Sequence, residues 1–138
     1  MEDNNQFAAY SLGGQYLRGQ GVEQSNTEAY RLYTMAAVRG NAYAQYQLGR
    51  MYRDGIGTGA DLEDSKRWYA KAYAGFLTME ATMADDKLCY RLGSMNMTGT
   101  GTKVDLEKSR YYFEKAVELG SFDVHFALNE TEQGTVLT

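Results

Sequence analysis

Apolar residues fall along this chain in short blocks at helical intervals, separated by glycine-rich turns. Between 42 and 54 the positions Ala44, Leu48, Met51 and Tyr52 recur in steps that place them on one stripe of a helix. Gly55 ends the block, because a glycine just past the stripe supplies the positive φ of a C-terminal cap, and Gly57 and Gly59 let the chain turn back. Asp61 then precedes Leu62, Glu63 and Asp64, an acidic first turn favoured by the helix dipole, and a second stripe follows through Trp68, Tyr69 and Ala72. The block reads as a helix–loop–helix hairpin. The same pattern predicts helices over 5–18, 26–39, 42–54, 62–79, 86–98, 106–119 and 122–130, an all-α chain.

The hairpin is written three times. Leu12-Gly13, Gly19-Gln20-Gly21, Leu32-Tyr33 and Ala36 are answered by Leu48-Gly49, Gly55-Ile56-Gly57, Trp68-Tyr69 and Ala72, then by Leu92-Gly93, Gly99-Thr100-Gly101, Tyr112-Phe113 and Ala116. Repetition at a period of a few tens of residues marks a solenoid, whose units bury their faces against their neighbours. Gly13, Gly49 and Gly93 each sit inside a first helix, where glycine costs ~1 kcal/mol against alanine. Three such glycines at one position predict that the partner helix passes too close for a Cβ, with Ala44, Leu48 and Ala72 at the contact and Trp68 filling the space between hairpins. The chain has no proline, so glycine makes its turns.

These residues resemble the Sel-one-like repeat, a relative of the tetratricopeptide repeat. The middle copy carries the resemblance most fully, in Ala42, Ala44, Leu48-Gly49, Tyr52, Gly55, Gly57, Asp61, Trp68-Tyr69, Lys71-Ala72 and Gly75, and the likeness extends from about Phe7 to Leu128. It implies a right-handed αα-superhelix of about three and a half helix-turn-helix repeats, acting as a scaffold for a protein or peptide partner. The copies also depart from the pattern: Leu32 replaces the tryptophan, the first copy lacks the Asp before its second helix, and Asn96 stands where the others have Tyr16 and Tyr52. A narrower likeness, in Asp85-Asp86-Lys87-Leu88-Cys89-Tyr90-Arg91-Leu92-Gly93, is to repeat tails of mobilisation proteins of Gram-positive bacteria. It implies a structural or self-associating module of a larger DNA-processing protein as the alternative role.

One domain is expected over 1–138, with units at about 5–40, 41–83 and 85–120, a partial capping unit at 121–130 and a tail at 131–138. Two irregularities interrupt this plan. Leu12 and Leu48 lie 36 residues apart but Leu48 and Leu92 lie 44 apart, so eight residues are inserted near 77–84. Phe76, Leu77, Met79 and Met83 occur there at roughly helical intervals, which predicts two extra turns on the second helix of the middle unit. The insertion is either a neutral length variation or a docking segment, since flexible thioethers suit adaptable interfaces. At the other end Val124 and Leu128 match Ala44 and Leu48, but Asn129 replaces the glycine and no further Gly-x-Gly follows.

In the resembled fold the first helices line the concave side. On a helical wheel Tyr43, Tyr46, Arg50 and Arg53 lie on one surface away from Leu48, matched by Phe7, Tyr10, Gly14 and Leu17 and by Lys87, Tyr90, Ser94 and Met97. Tyr10, Tyr46, Tyr90 and Phe126 form an aromatic column, each two residues before its Leu, with Arg50, Arg53, Lys87 and Arg91 alongside. Such a face suits an extended, acidic peptide, because amphipathic rings with few torsions are favoured contact residues. The alternative is that neighbouring rings stack on each other and stiffen the array.

Composition bounds the rest. With 43% hydrophobic, 13% aromatic and 23% charged residues the chain is globular. Its net charge of −4 comes mostly from Asp123, Glu130 and Glu132, and no repeat is basic, which argues against direct nucleic-acid binding. No apolar run approaches the ~20 residues that span a bilayer and no secretory signal opens the chain, so a cytoplasmic protein without membrane contact is expected. Cys89 is the single cysteine and reads as a buried apolar residue. A hydrolase is the weakest reading: His125 is the one histidine, no Ser-x-x-Lys, His-Glu-x-x-His or Cys/His metal spacing occurs, and Asp61, Asp64 and Asp105 sit where helix capping explains them. No cofactor, metal or catalytic residue is expected, and weak self-association remains open.

Overall fold

A computed structural model describes residues 2–120, as six helices: α1 (Glu2–Arg18), α2 (Asn26–Val38), α3 (Ala42–Asp54), α4 (Leu62–Thr82), α5 (Asp86–Thr98) and α6 (Leu106–Leu119). The chain forms two compact units, one over Met1–Gly75 and a second beginning at Phe76. The predicted seventh helix over 122–130, with Val124, His125, Phe126 and Leu128, lies outside the described residues.

Helix starts follow the capping residues. Ser25, Asn41, Asp85 and Asp105 adopt extended backbone and accept a hydrogen bond from the amide three residues on. Asp61 does the same for the Asp64 amide at 3.0 Å. Ser25 thereby supplies in the first copy the cap that aspartate supplies elsewhere, satisfying an otherwise orphaned N–H. At the other ends Gly55 (φ 70°) and Gly99 (φ 73°) are left-handed caps, as their place past the apolar stripes requires. Replacing Asp85 by alanine removes the 2.7 Å bond to the Leu88 amide and is expected to cost about 1 kcal/mol, read as a lower urea midpoint at unchanged m-value.

In the first unit the core is continuous across two hairpins. Ala9, Ala29, Leu32, Tyr33, Ala36, Ala37, Ala44, Leu48 and Met51 form one buried cluster, and Trp68, Tyr30 and Tyr52 pack against it half-buried. Asn41 ties the α2–α3 turn: its side chain caps α3 while its amide donates to the Ala36 carbonyl at 3.1 Å. The Tyr30 and Tyr52 hydroxyls meet at 2.6 Å, and this bond, followed by burial, pushes the Tyr52 phenol up to about 12.

The three in-helix glycines have a common cause. A Cβ at Gly13 would stand 3.1 Å from the Tyr33 ring, at Gly49 2.6 Å from Tyr69, and at Gly93 2.7 Å from Phe113. What approaches the first helix is thus the second residue of each aromatic pair, laid flat over the glycine. Trp68, the first residue of its pair, packs on the core cluster with the Lys71 ammonium 4.7 Å over its ring. Ala44, Leu48 and Ala72 are buried as expected.

The inserted residues are helical as far as Thr82: α4 has 21 residues where α2 has 13. In the second unit Glu80, on the added turns, pairs with Lys115 of α6, while Met83 beyond it is exposed. α5 and α6 pack on each other through Cys89, Phe113 and Ala116. Burial pushes the Cys89 thiol above its ordinary value. Asn96, fully buried where the other copies carry tyrosine, donates to the Leu92 carbonyl at 2.9 Å.

Candidate functional site

The first-helix faces in the first unit meet at the ring-over-glycine contacts. Tyr10 leans on Tyr33 at 5.7 Å between ring centroids, and Tyr46 meets Tyr69 edge-on at 5.1 Å. Tyr10 also lies 6.0 Å from Tyr43, a ring contact between successive first helices. In the second unit Tyr90 leans on Phe113 at 5.5 Å and is 39% exposed, leaving much of its ring to solvent. Tyr10, Tyr46 and Tyr90 therefore each pack against a second helix, on the residue that closes over the glycine.

Charge is distributed unevenly over these faces. Arg53 is held by Asp54 through two bonds of 2.9 Å, which raise its guanidinium pKa and lower that of the carboxyl. Arg31, Arg67 and Arg110 likewise pair with Glu28, Asp64 and Glu114. Arg50 instead contacts the Gln47 side-chain oxygen at 3.3 Å, and Arg18 that of Gln20 at 3.1 Å. Lys87 is exposed, and the Arg91 guanidinium lies 5.8 Å from the Phe76 ring centroid. Phe126 lies outside the described residues.

A hollow of about 510 Å³ in the first unit lies beside Tyr10 and Arg50 and includes Arg18, Tyr33 and Gln47 in its lining. Arg18 and Tyr33 are not among the residues expected from the helical wheel. The signal for Arg18 is Gly14: a Cβ there would stand 2.9 Å from an Arg18 guanidinium nitrogen, so that guanidinium occupies the space a side chain at 14 would fill. Gly14 lies four residues before Arg18, and the equivalent positions of the other copies hold Arg50 and Ser94 rather than glycine. Tyr69 is a further residue that the wheel does not bring to this face. Its hydroxyl is buried with no hydrogen-bond partner among the described residues, and burial pushes its pKa to about 12 against the opposing influence of Arg53.

Chemistry is sparse elsewhere. Among the described residues no group of three or more His, Cys, Asp or Glu side chains is placed to hold a metal ion, and no helix is long and apolar enough to cross a membrane.

Paired helices stacked through ring-over-glycine contacts, repeated along the chain, define an all-α helical-repeat solenoid. Residues 6–41, 42–75 and 87–121 each match the Sel1 repeat, and the chain belongs to that family. In sequence it is similar to the chitin synthase regulator SKT5 of Malassezia restricta, 41% identical over 73 residues, and to the ERAD-associated E3 ubiquitin-protein ligase component HRD3B of Arabidopsis thaliana, 37% identical over 71 residues. Each likeness covers 51% of this chain, but only 5% and 12% of the respective relative. In structure it is similar to a Sel1 repeat protein from Oxalobacter formigenes, with a TM-score of 0.65 and 30% identity, over 91% of this chain and 48% of the other. The fold is also that of c5321, a protective antigen of uropathogenic Escherichia coli with an SLR fold, at a TM-score of 0.51, 24% identity, and coverage of 94% of this chain and 34% of that one.

Proposed function

We propose that the chain is a non-catalytic adaptor that holds a protein or peptide partner along its first-helix faces, through Tyr10, Tyr43, Tyr46, Arg50 and Arg53 in the first unit and Lys87, Tyr90 and Arg91 in the second. The observation that carries this reading is the hollow beside Tyr10 and Arg50, where rings pinned by their second-helix partners stand next to a guanidinium. Rings already held in place lose little entropy when a partner covers them, which is what makes a rigid aromatic surface favourable for binding. The relatives add support of a general kind, because one is named as a component of a ubiquitin ligase and another as a regulator of a synthase. Both names describe a part that works with another protein.

The test is selection of peptides from a displayed random library on the immobilised chain, followed by affinity measurement with variants. Tyr46→Ala combined with Arg50→Ala is expected to weaken the selected peptides about thirtyfold or more, the scale of losing a hot-spot pair. Unchanged affinity in this variant, with circular dichroism showing it folded, overturns the assignment to these faces.

A further inference from the structure

We propose that the hollow between Arg18 and Arg50 is a carboxylate subsite, which receives an acidic side chain or a free C-terminus of the partner segment. This rests on reading the first-helix face as a partner-binding surface, and it adds the chemistry that the partner must bring. The basis is where the arginines spend their charge. Arg31, Arg53, Arg67 and Arg110 each face a carboxylate of their own helix or the adjoining residue. Among the described residues Arg18 and Arg50 hydrogen-bond only to the neutral amide oxygens of Gln20 and Gln47, and Asp54, an acid one helical turn from Arg50, is taken by Arg53. Both arginines line one hollow of about 510 Å³ with Tyr10 and Tyr33.

The hollow also shows a local adaptation. Gly14 is buried inside α1, a place where alanine would be the better helix former, and the atoms nearest to its absent Cβ are the Arg18 guanidinium nitrogens at 2.9 and 3.2 Å. The glycine gives that guanidinium room to lie against the helix at the edge of the hollow. Two guanidinium forks beside one cavity suit a carboxylate, whose two oxygens accept paired N–H bonds, and charge-assisted bonds of this kind are about twice as strong as neutral ones. The third repeat lacks this arrangement. Ser94 stands at the position of Arg50, and Phe113 replaces Tyr33 and Tyr69. The carboxylate requirement therefore belongs to the first unit and not to the third repeat.

The probes are the capped dipeptide N-acetyl-Glu-Glu-amide, its Gln-Gln counterpart, N-acetyl-Gly-Gly with a free C-terminal carboxylate, and inorganic phosphate, each titrated into the full chain while the arginine Nε–H resonances are followed by NMR. The Glu-Glu probe is expected to shift Arg18 and Arg50 saturably, with the Gln-Gln probe leaving them in place and Arg31 and Arg110 unmoved by either. Comparison with the Gly-Gly probe tells a side-chain carboxylate from a C-terminal one. Arg18→Gln and Arg50→Gln are each expected to weaken the Glu-Glu probe about three- to tenfold. Gly14→Ala is expected to weaken it too while leaving the melting temperature unchanged or higher, a combination that loss of folding cannot produce. Equal shifts with the Gln-Gln probe, shifts spread equally over all arginines, or tighter binding of phosphate would overturn the carboxylate assignment. Saturable shifts here, with selected peptides weakened by Arg18→Gln but indifferent to Tyr46→Ala, would leave the subsite standing and remove the longer binding face. Peptides lost on Tyr46→Ala, with no probe shift, would do the reverse.

Discussion

Phe113→Ala is expected to destabilise the protein by about 3–5 kcal/mol, the range for emptying a fully buried aromatic site. Phe113 is 0% exposed, lies over Gly93 and packs with Cys89 and Ala116. The companion substitution shows whether the contact is the one described. Gly93→Ala alone should cost about 1–3 kcal/mol, because its Cβ would stand 2.7 Å from a ring that has no free side to move to. In the Phe113→Ala background the same change should become neutral or stabilising by up to ~1 kcal/mol, since the obstacle has gone and alanine is the better helix former. Urea unfolding of the four proteins in this cycle measures the coupling. Additive costs would mean that ring and glycine do not meet.

The second large effect is expected at Gly57. This residue has φ 72°, which an L-side chain adopts at a cost of about 1–2 kcal/mol, and a Cβ there would run into the Asn26 carbonyl oxygen at the start of α2. The next nearest atoms are the Asn26 carbonyl carbon at 2.9 Å and the Tyr30 Cβ at 3.0 Å, so relief requires the start of α2 to move. With overpacking added, Gly57→Ala should cost about 2–5 kcal/mol. Gly21 is the control, at the same place in the first copy. Its φ is 77° and no described atom lies within 4 Å of where its Cβ would stand, so Gly21→Ala should cost only the conformational ~1–2 kcal/mol. Equal losses at the two glycines would show that the second loop does not rest on α2.

Much of the fold is readable from the chain alone because its determinants lie within a few residues of each other. Helix starts at Asn26, Ala42, Leu62, Asp86 and Leu106 coincide with the starts predicted from capping residues and apolar stripes. The stripe ends α4 at 79, three residues before its actual end at Thr82, since no glycine marks that end. Leu12 and Leu48 illustrate the limit of pattern reading. They occupy the same place in the repeat, yet Leu12 is 37% exposed and Leu48 1%, because Leu48 is buried in one cluster with Ala29, Leu32 and Ala36 of α2.

The candidate site divides in the same way. A helical wheel brings Tyr43, Tyr46, Arg50 and Arg53 to one surface, because angle along a helix follows from residue number alone. It cannot tell Arg53, neutralised by its neighbour Asp54, from Arg50, whose contact is a glutamine. Nor can it find Arg18 and Tyr33, which join the hollow from another turn and another helix.

The sequence by itself determined that this is a helical-repeat protein of Sel1 type, where its hairpins turn, and that something closes over Gly13, Gly49 and Gly93. Only the tertiary structure decided that the closing groups are Tyr33, Tyr69 and Phe113, and that Arg18 and Arg50 share a cavity with no carboxylate among its lining residues. The physical reason is range. Caps, stripes and glycine turns are settled by interactions three or four residues apart, whereas ring contacts and charge pairing depend on side chains some twenty or thirty residues apart being brought within ångströms.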